Sequence, residues 1–461
     1  MNIAAWIQRI DDLVWGSWLL FLLLGTGIYL MLRLRFLPLK NLKFAFQCAL
    51  RGEKKQSPRA SKSNSGQVSA LSSLTTELAA TMGTGNIVGV ATAMVLGGPG
   101  ALFWMVVTSF IGMATKLVES TLSVTYRSKN ELGETVGGPM YTMEAALPGK
   151  LLGKILGTLF ALFAVFASFG MGNMTQSNSI ADALHVTFQV PKAATALVVT
   201  LLTILIVLGG IRHIAKLTRL MVPFMGIFYL FGTLAVILAH WRNLPFAVGG
   251  ILTAAFCPQA VSGGLFGMVL VSAGQSLRWG VSRGIFSNEA GLGAAGISAA
   301  AADTKDPVRQ GYISMTGVFL DTAVICSLTG LALAASGALG MTDAKGNPLT
   351  GTALTLAAFR TTLGDWGEKF VSISIALFAF ATIAGWAYQG ERAFEYLMKG
   401  KTAYNIWYRF LYALMAFIGC ICSLEVVWNL SDICNALMAV PNLICVLFLS
   451  RRACRMIKDY R

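Results

Sequence analysis

The stretch Ala79-Ala80-Thr81-Met82-Gly83-Thr84-Gly85-Asn86-Ile87-Val88-Gly89 lies inside an apolar run long enough to cross a bilayer. Its glycines and hydroxyls loosen a helix and free backbone groups, which in hydrocarbon must find partners. A helix broken at that depth gives them a use. N–H groups opening its second half attract a carboxylate, and carbonyls closing its first half attract a cation or an ammonium. The competing reading is a seam of small residues where helices pack closely. Thr84 and Asn86 favour a site, because a packing seam needs no polar side chains. Gly83, Gly85 and Gly89 superficially resemble a dinucleotide glycine fingerprint, but no strand precedes them, and the segment lies within a span.

The surroundings agree with a membrane setting. Of 461 residues, 55% are hydrophobic and 12% charged, against roughly 25% charged in soluble domains. Apolar runs of about 20 residues recur from Trp15 almost to the C-terminus. The 48 glycines suit close helix packing and interrupted helices. The net charge of +15 is spread over short segments between apolar runs, which excludes a basic nucleic-acid-binding domain. Eight scattered cysteines without CxxC spacing read as small buried hydrophobes. Residues 1–12 lack the features of a cleaved signal peptide, so the first apolar run is expected to remain.

Apolar runs place spans near residues 15–35, 74–96, 101–125, 151–180, 193–212, 216–240, 260–302, 311–336, 368–390, 403–424 and 428–450, about 11 in all. The run at 260–302 counts as one broken crossing. Arg33, Arg35, Lys40, Lys43, Arg51, Lys54, Lys55, Arg59 and Lys62 crowd the first loop, which the positive-inside rule makes cytoplasmic. Alternation then puts Arg127, Lys129 and Lys150, Arg212, Lys216 and Arg219, Arg278, Arg283, Lys305 and Arg309, Arg392, Lys399 and Lys401, and the tail 451–461 inside. The N-terminus is expected outside and the C-terminus inside. Residues 52–67, rich in Lys, Ser, Pro and Gly, read as a mobile cytoplasmic connector.

Without the first span, ten remain, five in 74–240 and five in 241–450. Two homologous halves of an odd span number must insert with opposite topology, the inverted-repeat plan of many transporters. Each half opens on a glycine-interrupted helix, at 81–86 and between Gly263 and Gly296. The division expected is 1–73 for the extra helix and basic loop, 74–240 and 241–450 for the repeats, and 451–461 for a basic tail.

Four further segments carry polar groups at membrane depth. Ser287-Asn288-Glu289-Ala290-Gly291 follows Arg278 and Arg283; Asn288 and Glu289 are functional or gating candidates, the competing reading being an internal ion pair of Glu289 with Arg278 or Arg283 near the cytoplasmic face. Glu119 is expected to pair with Lys116 one turn away; Glu77 and Asp321 stay undecided. Gly170 to Asn178 reads as the polar end of a long helix, suited to a zwitterion or simply solvated. Thr382 and Trp386 share one helix face, and Trp386 is a pocket wall or an interfacial anchor. His185, His213 and His240 fall near span ends, and no HExxH, P-loop or GxSxG segment occurs, so an enzyme is not expected.

Gly97-Gly98-Pro99-Gly100-Ala101-Leu102-Phe103-Trp104-Met105, then Val107, Ser109 and Gly112, resembles the signature of the alanine or glycine:cation symporters, also called sodium:alanine symporters. Val106 departs from the family's usual Trp. Thr84-Gly85-Asn86, Gly137-Gly138-Pro139-Met140-Tyr141, Ser287 to Gly291, and Gly385-Trp386 with Gly390-Glu391-Arg392 resemble further family segments in order. The resemblance implies an all-α polytopic, leucine-transporter-like fold of two inverted five-helix repeats preceded by one extra helix. It implies symport of alanine, glycine or similar small amino acids, usually with sodium, at a bacterial inner membrane, with no cofactor and a monomer sufficing. By motif, Thr81, Gly83, Thr84, Gly85 and Gln176 would hold the substrate, with Thr382, Trp386 and Phe286 closing the pocket. Thr84, Asn86 and Thr382 would bind the cation. Proton coupling through Glu289 or Asp321 is the alternative.

Overall fold

The computed structural model describes residues 3–51, 68–256, 260–262, 269–271, 273–422 and 424–460; the expected connector at 52–67 lies outside them. Helices dominate. The chain opens with α1 (Ile3–Val14), α2 (Ser17–Arg33), α3 (Leu37–Lys40) and α4 (Leu42–Leu50). Next come α5 (Ala70–Thr81) and α6 (Val88–Leu96), separated by a 3-10 turn at Thr84–Asn86. Ser69 caps α5, its hydroxyl accepting from Ser72 N at 3.1 Å.

The long helix α7 (Gly100–Thr125) leads to a two-strand hairpin, β1 (Ser128–Lys129) and β2 (Thr135–Val136), and to α8 (Pro139–Ala146), which begins on a proline. Then follow α9 (Lys150–Phe169), α10 (Thr175–Phe188), α11 (Lys192–Leu208), α12 (Gly210–Ala239) and α13 (Leu244–Phe256). Strands β3 (Ala260–Ser262) and β4 (Val269–Val271) pair antiparallel before α14 (Ala273–Asn288) and α15 (Ala294–Ala300). The remainder is α16 (Pro307–Val318), α17 (Ser327–Ala335), α18 (Gly351–Leu363), α19 (Asp365–Leu397), α20 (Asn405–Ile421) and α21 (Leu424–Asp459).

Among the described residues, six helices are long and apolar enough to cross a membrane: Gly100–Thr125, Lys150–Phe188, Gly210–Ala239, Pro307–Ala335, Asp365–Leu397 and Ser431–Asp459. The apolar runs expected at 15–35 and 193–212 coincide with α2 and α11 to within a few residues, each helix being 17 residues long. Peripheral helices are apolar on the outside: α12 exposes Leu220, Phe224, Ile227, Phe231 and Leu238 while burying Thr218 and Thr233. That inversion suits lipid as the outer solvent.

Both expected interruptions occur. The second is a turn between α14 and α15 in which Glu289, Gly291 and Gly293 have positive φ (56°, 95° and 83°), and the parts of that run at 263–268 and 272 lie outside the described residues. One segment differs from expectation: Gly170 to Asn178 does not end a helix. A π-helical turn at Gly170–Met174 joins α9 to α10, and Asn173, Gln176 and Asn178 are buried. Their amides bond protein rather than water, which is why a polar run continues a helix. The short helices α13 and α18 had no distinct sequence signal, being too short for spans.

Candidate functional site

The turn between α5 and α6 is the centre. Gly83 has extended backbone (φ −122°, ψ −150°), so the helical ladder stops there and Thr84 N is free to donate to Gln176 Oε1 at 3.1 Å. The π-helical turn between α9 and α10 shifts the helix face and brings Gln176 inward; its Nε2 donates back to Met171 O at 2.9 Å. From α19, Thr382 Oγ1 donates to Ala79 O at 2.9 Å, meeting a carbonyl near the end of α5. Space is tight: a Cβ on Gly83 would collide with Thr382 Oγ1 and stand 3.0 Å from Gln176 Oε1.

Across the turn, Phe286 of α14 lies against Gly85, where a Cβ would be 3.4 Å from its ring, and the ring stacks on Trp428 at 5.0 Å between centroids. Trp386 is fully buried, which removes the interfacial-anchor reading. It presses on Gly172, where a Cβ would stand 2.5 Å from the indole Cγ. The structure thus brings Gly83, Thr84, Gly85, Gln176, Phe286 and Thr382 around one turn, with Trp386 on the α19 face that carries Thr382. Thr81 is different: its hydroxyl turns back to Glu77 O and Leu78 O of its own helix, 3.3 Å each. The turn is shut off from solvent, with Thr84, Asn86 and Trp386 at 0% exposure and Gln176 and Thr382 at 1%.

Behind the turn lies a cluster of oxygen donors. Asn86 Nδ2 donates to Asp321 Oδ1 at 2.8 Å, and Ser287 and Thr322 hydroxyls both donate to Asp321 Oδ2 at 2.7 Å. Asn288 Nδ2 reaches Thr322 Oγ1 at 3.2 Å. Thr84 Oγ1 and Asn86 Oδ1 are buried without a hydrogen-bond partner among the described residues, and buried oxygens in that condition suit a cation or an ammonium. Asp321 stayed undecided in the sequence, and Ser287 and Thr322 had no role there. A π-helical stretch at Phe319–Cys326 turns Asp321 inward, and no periodicity announces such a stretch.

The charged candidates are rearranged. Arg283 does not pair with Glu289: it binds Asp432 of α21 through two bonds of 3.1 and 2.7 Å. Arg278 instead lies over the Trp279 ring at 5.9 Å. Neither arginine shares a face with Lys305 and Arg309. Near the start of α14, Ser276 donates to Gly97 O beyond the end of α6, while Arg309 donates to Cys48 O beside α4, and the Val68 bridge to Ala302 marks the start of α5. α14 and α15 run from one end of the bundle toward the other, so these arginines and Lys305 with Arg309 do not share the single side expected of them.

Lys116 also departs from its expected partner. Its ion pair is with Glu77 at 3.6 Å, and it donates to Asn288 O at 3.0 Å, whereas Glu119 accepts from Asn442. The spacing of Lys116 and Glu119 along α7 shows only the local neighbour; tertiary packing supplies a better one. Arg392 is no loop charge either: it is buried in α19 with Glu134 at 3.1 Å and Glu395 at 3.0 Å.

Comparisons with known proteins complete the description. A family model described as the sodium:alanine symporter family matches residues 1–461. The sodium/alanine symporter AgcS of Methanococcus maripaludis is 46% identical over 453 residues, 98% of this chain and 95% of that protein. The amino-acid carrier protein AlsT of Bacillus subtilis is 34% identical over 453 residues, 98% of this chain and 90% of that one. Among solved structures, MhsT in complex with L-phenylalanine is similar with a TM-score of 0.60 at 15% identity, over 83% of this chain and 89% of that chain. Similarity at that identity concerns the fold, which is leucine-transporter-like.

Proposed function

The chain belongs to the sodium:alanine symporter family, a family of multi-pass transporters rather than enzymes, and from that premise we propose that it carries alanine, glycine or a similarly small neutral amino acid inward with sodium. The cycle is alternating access around the broken turn. The carrying observation is the juxtaposition at that turn: the Thr84 N–H and the Ala79 carbonyl are bonded to the neutral polar side chains of Gln176 and Thr382. An incoming carboxylate displaces Gln176 Oε1 from Thr84 N, and the ammonium takes the carbonyl side. These groups match a zwitterion without carrying net charge.

In this reading Trp386 and Phe286 bound the space left for the side chain, so size sets selectivity. Sodium is cargo at Thr84, Asn86 and Thr382, with Asp321 behind Asn86 supplying negative charge. Ser287 and Thr322 orient that carboxylate. Substrate and sodium stabilise the closed state together, and their coupling is the difference in their affinity for closed and open forms. The Arg283 and Asp432 pair beside Phe286 closes one route to the turn. The architecture we favour has 11 spans, one helix followed by two inverted repeats of five, with the N-terminus outside and the C-terminus inside.

One observation supports a second reading, proton-coupled symport: Asp321 is a fully buried carboxylate directly bonded to the turn residue Asn86. Uptake of labelled alanine into proteoliposomes, with sodium and pH gradients imposed separately, decides between the two. Accumulation driven by sodium alone fits the first reading, and accumulation driven only by pH replaces it with the second.

Two substitutions probe the assignments. Asn86→Ala should weaken sodium activation of alanine uptake at least tenfold, since a cation in hydrocarbon has few replacements for a lost oxygen; unchanged activation removes Asn86 from the cation site. Trp386→Ala should admit valine and leucine, raising their uptake relative to alanine by about 10-fold or more, since a single methylene already commands about 10- to 200-fold in an apolar pocket. An unchanged substrate range takes Trp386 out of the pocket.

A further inference from the structure

An intramembrane carboxylate is costly and needs a purpose, and Glu289 has none in the function proposed so far. It is fully buried, lies in the turn between α14 and α15, and has no bond to either arginine expected of it. Its carboxylate Oε1 accepts from the indole Nε1 of Trp386 at 2.8 Å. The main chain around it is held firmly. Glu289 has φ 56°, a left-handed conformation uncommon outside glycine. Lys116 Nζ donates to Asn288 O at 3.0 Å, Asn442 Nδ2 to Gly291 O at 2.9 Å, and Ala290 N to Asn288 Oδ1 at 2.9 Å.

The indole is therefore held from two sides. Gly172 leaves no gap on one face, and Glu289 fixes the N–H edge. A bulky ring selects by size only if it stays in one rotamer, and the hydrogen bond to the Glu289 carboxyl oxygen is what favours that rotamer over its alternatives. We propose that Glu289 is a positioning residue that sets the transporter's size selectivity by locking Trp386 across the pocket. It also links that wall to the second helix break, so movement of α14 and α15 during the cycle carries the indole with it. The inference rests on the pocket role proposed for Trp386.

The test uses the full-length protein in proteoliposomes, measuring kcat and KM for alanine and valine. Glu289→Met has similar bulk and no comparable acceptor; Glu289→Gln keeps an acceptor oxygen. Glu289→Met should raise the valine-to-alanine ratio of kcat/KM about tenfold, mainly through a lower KM for valine, while Glu289→Gln leaves the ratio within about twofold, within the spread expected of a retained bond. Combined with Trp386→Ala, Glu289→Met should add nothing further. A uniform loss for both substrates, or equal effects of Met and Gln, overturns the positioning role. If Trp386→Ala widens the range and Glu289→Met does not, only this inference fails; if Trp386→Ala leaves the range unchanged, the pocket reading fails. Should Glu289→Met not be recovered folded, the resonance Raman difference between wild type and Trp386→Phe decides. A strongly hydrogen-bonded indole N–H band supports the inference, and a free N–H band overturns it.

Discussion

Gly83→Ala should abolish alanine uptake, by at least 100-fold, in protein that still purifies as a folded species. The reason is space rather than backbone angle. Gly83 has negative φ, which alanine adopts freely, but its missing Cβ is where Thr382 Oγ1 and Gln176 Oε1 converge. An added methyl must push Thr382 off Ala79 O and Gln176 off Thr84 N, the two contacts that define the turn. Misplacing binding groups by about 1 Å costs about 100-fold when geometry is the source of function. Gly89→Ala is the matched control: its Cβ would meet Thr84 O at 3.9 Å, an ordinary contact, and alanine favours the helix there, so uptake should stay within about twofold of wild type. Measuring initial rates of both variants at equal reconstituted protein checks the contrast. Equal activity in the two would mean that the turn is a packing seam after all.

The contrast also marks what the sequence could tell. That Gly83 and Gly89 sit in an interrupted apolar helix is legible from glycines and hydroxyls where hydrocarbon demands satisfied backbone. That one is crowded and the other open depends on α10 and α19, some 90 to 300 positions away in the chain. The apolar runs were legible for the same reason the turn was: length and hydropathy are imposed locally by the bilayer. Gln176, Thr382 and Trp386 could be picked out because polar or aromatic groups inside such runs are conspicuous.

Partner choice was not legible. Lys116 has Glu119 one turn away but takes Glu77, and Arg283 crosses 149 positions to Asp432. Charge pairs in a bundle form between helices, and nothing in local spacing names the partner. The π-helical turns at 170–174 and 319–326 escaped for a related cause. They leave hydropathy unchanged while rotating Gln176 and Asp321 to new faces, so the feature that builds the site has no compositional mark.

The Arg283 and Asp432 pair carries the second large effect. Arg283 is 5% exposed and Asp432 2%; the guanidinium also lies 5.0 to 5.4 Å from the rings of Trp428, Phe286 and Trp279. Its charge therefore has aromatic faces and a bidentate carboxylate around it, and little water. Asp432→Leu strands the guanidinium and should destabilise the protein by about 3–5 kcal/mol, the usual result of removing one member of a buried pair. The aromatic faces offset a fraction of that, since a desolvated cation on a ring gains about 2 kcal/mol or more. Arg283→Met should cost a similar amount by leaving Asp432 uncompensated.

The double variant separates stability from function. With both charges gone, leucine and methionine fill the same volume, and stability should return to within about 1 kcal/mol of wild type or exceed it. Unfolding of the detergent-solubilised proteins by titrated SDS measures all three. If each single substitution costs no more than the double, the pair carries no coupling and the bidentate geometry is incidental. If stability returns in the double variant while uptake does not, the pair is kept for closing the route beside Phe286 rather than for holding the bundle together. Recovery of both would make it a structural contact alone.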